Sequence, residues 1–171
     1  MRKICGSVVL AGILAAVLSG CASSPAVVQA PVGPDPFATA QPGSKGALKV
    51  FTATTEENNV GTEYPYYERT SYDIYDSNGK LIRRVRDNNK GEFVARPRTE
   101  WLAPGTYRVK ALAAIGTGEW MDVPVVVARG RTTEVHLNGH WAPPSDTPGS
   151  ALVYSPAGFP LGWRASNLPA S

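Results

Sequence analysis

Tyr107-Arg108-Val109-Lys110-Ala111, Val123-Pro124-Val125-Val126-Val127 and Thr133-Glu134-Val135-His136-Leu137 decide the fold class. In these runs apolar and polar residues trade places with a period near two, the spacing of a strand with one face buried. The same pattern recurs upstream, in Leu48-Lys49-Val50-Phe51-Thr52 and Lys80-Leu81-Ile82-Arg83-Arg84-Val85-Arg86. In Glu68-Arg69-Thr70-Ser71-Tyr72-Asp73-Ile74-Tyr75 it puts Thr70, Tyr72 and Ile74 on one face. Short alternating runs, rich in β-branched and aromatic residues and separated by turn residues, predict an all-β sandwich or barrel. We read residues 46–141 as a single antiparallel β-sandwich of about seven strands, with no helix.

Turn chemistry agrees. Asp76-Ser77-Asn78-Gly79 joins two alternating runs, and Asn-Gly accepts the positive φ of a tight hairpin. A two-residue and a four-residue loop both fit, and the choice fixes which side chains face inward. The four-residue loop sets Ile74 opposite Leu81 and Thr70 opposite Val85, the better core face. Pro104-Gly105 and Arg129-Gly130 mark further turns.

Trp101-Leu102-Ala103-Pro104-Gly105-Thr106-Tyr107-Arg108-Val109, with the stretch from Val123 to Val135, resembles the end of a carboxypeptidase regulatory-like domain. The resemblance implies a transthyretin-like (Ig-like) sandwich used as a binding or structural appendage rather than as an enzyme. The hairpin around Asp76 to Leu81 suits the earlier strands of such domains. Transthyretin-related hydrolases end in Tyr-Arg-Gly-Ser, whereas this sequence ends Leu168-Pro169-Ala170-Ser171, so the resemblance does not extend to that activity.

The 171 residues (18.2 kDa) hold one modest domain with extensions on both sides. Residues 1–20 read as a cleaved signal peptide: Arg2 and Lys3, an apolar run from Val8 to Leu18 broken only by Gly12, then small residues. The run is shorter than the roughly 20 apolar residues a membrane span needs. Leu18-Ser19-Gly20-Cys21 resembles the bacterial lipobox. That resemblance implies cleavage before Cys21, a thioether-linked diacylglycerol on its sulfur and an N-acyl chain such as palmitate on its amine. Two or more chains anchor durably where one does not. An ordinary signal peptide with an incidental cysteine is the alternative. Cys5 leaves with the leader, so the mature chain has no thiol for a disulfide, a metal or nucleophilic chemistry. Ala22-Ser23 lacks the aspartate of an inner-membrane retention mark, which places the expected lipoprotein in the outer membrane of a bacterial envelope, on its periplasmic or surface face.

Residues 21–45 carry Pro25, Pro31, Pro34, Pro36 and Pro42 and read as a disordered linker. It would reach ~75 Å as polyproline and average roughly 27 Å as a coil. The tail, residues 142–171, holds six prolines and three glycines, too many for a second domain. Ala151-Leu152-Val153-Tyr154 nevertheless reads as a strand, and Phe159, Leu161 and Trp163 need a surface to cover them. That surface is the tail's own domain or, by strand addition, a partner's sheet edge.

Little in the sequence carries catalysis. The formal charge of +3, and +1 once residues 1–20 are removed, gives no argument for nucleic acid. His136 and His140 lie on a strand and its following turn without a carboxylate or thiol cluster, so no metal site is expected and both read as exposed strand-end histidines. Glu56-Glu57 reads as part of a solvated loop from Glu56 to Asn59. Asp87-Asn88-Asn89-Lys90-Gly91-Glu92 departs from calcium-loop order at Lys90 and Gly91. Six acids and one base between Glu56 and Asp76 face seven bases and two acids between Lys80 and Arg98. Cross-strand pairing is the plain account. The sharper one is a cationic face of Arg83, Arg84, Arg86, Lys90, Arg96 and Arg98 aimed at lipid or glycan phosphate. Tyr64, Tyr66 and Tyr67, with Trp101, Trp120 and Trp141 elsewhere, read as stacking rings for a glycan or as ordinary core fillers. Tyr64, Tyr66, Tyr67 and the tail's Trp163 are the candidate binding rings. With no catalytic set and no cofactor beyond the acyl chains, the expected function is a non-catalytic module that binds an envelope protein. A glycan or peptidoglycan binder is the alternative, and an unrecognised hydrolase the third.

Overall fold

The computed structural model describes residues 24–57, 66–86, 88–89, 96–115 and 118–165. These form strands β1 (Ala26–Val27), β2 (Gly46–Phe51), β3 (Thr54–Glu57), β4 (Tyr66–Arg69), β5 (Tyr72–Asp76) and β6 (Leu81–Val85). There follow β7 (Thr99–Leu102), β8 (Gly105–Leu112), β9 (Trp120–Val127), β10 (Thr132–His136), β11 (Leu152–Tyr154) and β12 (Pro160–Trp163). One 3-10 turn, Gly149–Ala151, precedes β11. A five-stranded sheet runs β1-β9-β8-β5-β6, a three-stranded sheet β10-β2-β7, and β3-β4 and β11-β12 are two-stranded. The fold is all-β, as the alternation predicts.

The period of two builds the core. Met121, Val123, Val125 and Val127 of β9, Val109 and Ala111 of β8, and Tyr72 and Ile74 of β5 turn inward and are buried. Leu48 and Val50 of β2, Leu102 of β7 and Val135 of β10, with Leu137 just beyond it, meet them from the second sheet. Among the described residues, twenty buried ones make one apolar cluster. At about 1.5–3 kcal/mol for each large side chain, that burial outweighs any individual surface pair.

The hairpin at Asp76 departs from the expected register. Tyr72 lies opposite Val85 and Ile74 opposite Arg83, with an irregularity between Ile74 and Tyr75, so Leu81 faces Tyr75 rather than Ile74. The cause is the turn. The Asp76 carboxylate accepts the N–H groups of Asn78 and Lys80, both at 2.9 Å, and Gly79 takes φ +79°. This tight Asx turn leaves an odd residue, absorbed one step down the strand. Val85 therefore packs inside, while Leu81 and Ile82 stay exposed.

The sandwich is also not purely antiparallel: β1 runs parallel to β9, and β10 parallel to β2. The linker and tail depart further from expectation. Val28 N–H donates to Asp122 O at 3.0 Å, Val32 N–H to Pro124 O at 2.9 Å, and Asp35 N–H to Thr132 O at 3.0 Å. Residues 26–35 thus cross from the edge of β9 to that of β10, and Val28 and Val32 join the core. The disordered tether expected over 21–45 is therefore docked from Ala26. Prolines do not prevent this, because an edge segment needs only some of its N–H groups.

The tail docks on its own domain. Leu161 and Val153 enter the core, Gly33 N–H donates to Trp163 O at 2.7 Å, and Ala165 N–H to Pro31 O at 3.1 Å. Gly162 permits the approach, since a Cβ there would lie 2.7 Å from both Glu134 O and Val32 Cγ1.

Candidate functional site

Strand alternation turns Lys49 and Phe51 of β2, and Glu134 and His136 of β10, to the outer face of the three-stranded sheet. Phe51 and His136 stack at 4.4 Å between centroids and 17°, and His136 and Trp141 at 4.6 Å and 4°. Trp141 meets the Trp163 ring edge-on at 6.1 Å, and Phe37 meets Trp163 at 5.3 Å. The Arg69 guanidinium lies 5.2 Å from the Phe51 centroid. Five rings from linker, sandwich and tail thus form a continuous aromatic ladder.

His136 is buried inside this stack at 7% exposure, not the exposed strand-end residue expected; His140 is exposed. The reason is Trp141, which folds back over the β10 end and covers the imidazole. His136 Nε2 is 3.6 Å from Glu134, whose other oxygen pairs with Lys49 Nζ at 3.0 Å. His136 first, then Lys49, holds the Glu134 carboxyl down to about 2 against the opposing effect of burial.

Below Phe51 a buried polar knot fixes the end of β2. Asn88 donates to Val50 O at 2.8 Å, Arg69 donates to Thr52 O at 2.8 Å, and the Thr52 hydroxyl donates to Thr70 O at 2.8 Å. At the other end of the ladder a groove of about 240 Å³ opens between Pro36, Phe37, Pro144, Thr147, Pro148 and Trp163. Phe37 is 75% exposed on its rim, while Trp163 is a nearly buried wall.

The outer face of the five-stranded sheet carries ions instead. Arg84 grips Asp73 through two nitrogens at 2.7 and 2.8 Å, and this hydrogen bonding holds the Asp73 carboxyl below its ordinary value. Lys110 lies 4.9 Å from the Tyr75 ring centroid and 3.9 Å from Asp122, which Arg108 holds at 2.9 Å. Arg83 reaches across the sandwich edge to Glu100 at 2.6 Å. Arg83 and Arg84 are therefore neutralised locally, and Asp73 and Arg84 are direct cross-strand partners. Arg86 differs: it is exposed and makes no ion pair or hydrogen bond with any described residue. It lines a groove of about 580 Å³ with Thr55, Ser71, Asp73, Arg84 and Trp120.

The sequence-predicted residues do not converge. Arg84 and Arg86 share the ionic groove, and Trp163 belongs to the other face. Tyr66 and Tyr67 lie in β4 opposite Glu57 and Glu56, with side chains outside the described residues. Cys21, Tyr64 and Lys90 lie outside the described residues. Sequence reasoning missed Phe37 and Phe51, and it named Trp120 and Trp141 as possible stacking rings without placing either in a site. Phe37 had one usable signal, being the lone aromatic of a proline-rich stretch. Among the described residues no cluster of three His, Cys, Asp or Glu could hold a metal, and no helix is long and apolar enough to cross a membrane. No family model matches the sequence, and no curated protein or solved structure shows significant similarity to it.

Proposed function

We propose that this chain is a non-catalytic binding module of a bacterial envelope, held in the outer membrane by acyl chains on Cys21, and that the groove between Phe37 and Trp163 receives an extended segment of a protein partner. The observation that carries this reading is the ladder's exposed end. A ring open on its face, prolines opposite it and a buried tryptophan wall suit proline-containing or aliphatic peptide chemistry, as in other aromatic grooves. The lipobox-like tetrad supports the anchor, and the likeness to transthyretin-like appendages supports a binding role.

Phe37→Ala tests the groove, because the ring is too exposed for its loss to unfold the domain. Affinity capture from detergent-solubilised envelope should recover a protein with the native chain and lose it with F37A. Equal recovery with both proteins refutes the groove as the site. Sedimentation of the chain with purified sacculi would instead favour a glycan ligand stacked on the same ring.

A further inference from the structure

The docked linker shortens the tether. Only residues 22–25 separate Cys21 from β1, so a fully extended chain places Ala26 within roughly 17 Å of the cysteine. Ala26 pairs with Met121, so whatever surrounds the start of β9 lies within the same reach. Trp120, the first residue of β9, is 51% exposed and sits opposite Leu112 at the end of β8. Arg86, one residue past β6, shares its groove with Trp120 and Ser71. Antiparallel pairing brings the end of β8, the start of β5 and the end of β6 to this one rim of the sheet.

We propose that this rim rests on the headgroup layer of the membrane holding Cys21, with the Trp120 indole at the interface and Arg86 on a lipid phosphate. Tryptophan suits that depth, since its ring is apolar and its N–H is polar. Arginine grips phosphate through paired donors. The rim is not a cationic patch. Glu68 lines the groove and the exposed Glu119 precedes Trp120. Docking therefore depends on the anchor's local concentration rather than on charge attraction, and the unanchored domain should not adsorb. The inference rests on the lipid-anchor reading of Cys21.

The test removes that dependence. The chain from Cys21 onward, with one thiol, is coupled through it to a maleimide-headgroup lipid in phosphatidylcholine vesicles with brominated acyl chains. Tryptophan emission should fall by roughly a quarter, one ring of the four sitting at the interface. Trp120→Phe should abolish the quenching, Arg86→Glu should reduce it, and Trp101→Phe should keep the quenched ring as one of three, a fall of roughly a third. Unquenched emission, or equal quenching in W120F, overturns the proposal. Mass spectrometry of natural Cys21 judges the anchor separately: an unmodified cysteine sinks that reading whatever the vesicles show.

Discussion

The two outer faces of the sandwich are finished in opposite ways. On the five-stranded sheet, neighbouring strands neutralise one another: Arg84 with Asp73, and Lys110 and Arg108 with Asp122. These groups are near each other because adjacent strands make them so, and water covers the rest. On the three-stranded sheet, Phe51 and His136 are capped by Trp141, then by Trp163 and Phe37. Trp141 follows β10 directly, whereas Trp163 and Phe37 come from the tail and the linker, far away in sequence. One face is closed by local pairing and stands by itself. The other is closed by the linker and tail, and its stability should depend on them.

Leu161→Ala should show the largest effect. A fully buried leucine in the tail becomes a cavity, costing about 3 kcal/mol and lowering the thermal midpoint by about 10 °C. A tail that merely rests on the domain would show no change in calorimetry. Val32→Ala should cost about 2 kcal/mol by chemical denaturation, because this linker valine is wholly buried between β9 and the chain after β12. A free tether predicts no loss.

Glu134 gives the covered face a pH dependence. Its carboxyl releases its proton more readily folded, at about 2, than at the ordinary 4.5. The resulting stability is fully present above pH 4.5 and is lost as pH falls toward 2. Part of the carboxylate is solvent-screened, so about 1–2 kcal/mol is expected. Denaturant midpoints of Glu134→Gln should be lower at neutral pH and should fall less steeply in acid; parallel acid limbs for both proteins would contradict the pairing. At the small end, Ile82→Ala on the exposed part of β6 should change stability by no more than about 0.5 kcal/mol.

The same contrast explains what the sequence disclosed. Alternation in 107–111, 123–127 and 133–137 announces strands because it reports one buried face, a local property. Asp76-Ser77-Asn78-Gly79 announces a hairpin, but its Asx turn adds a residue that no pattern counts, so the register was misread. Parallel pairing of β10 with β2 was hidden because it joins segments eighty-five residues apart (Thr132 with Ala47). Val28 and Val32 were hidden by the prolines around them, whose composition reads as a coil although two apolar side chains and a few edge N–H groups suffice for docking. His136 was misjudged because its cover, Trp141, belongs to a turn with no periodicity. Leu161 and Trp163 were legible as groups needing burial, but not their destination.

Amide hydrogen exchange tests the central claim, that linker and tail are integral parts of the sandwich. Val28, Val32, Gly33 and Ala165 donate their N–H groups to Asp122, Pro124, Trp163 and Pro31. These four amides should exchange as slowly as those of β8 and β9. Exchange at random-coil rates, with β8 and β9 still protected, would show a sandwich that stands without its extensions and would contradict the account.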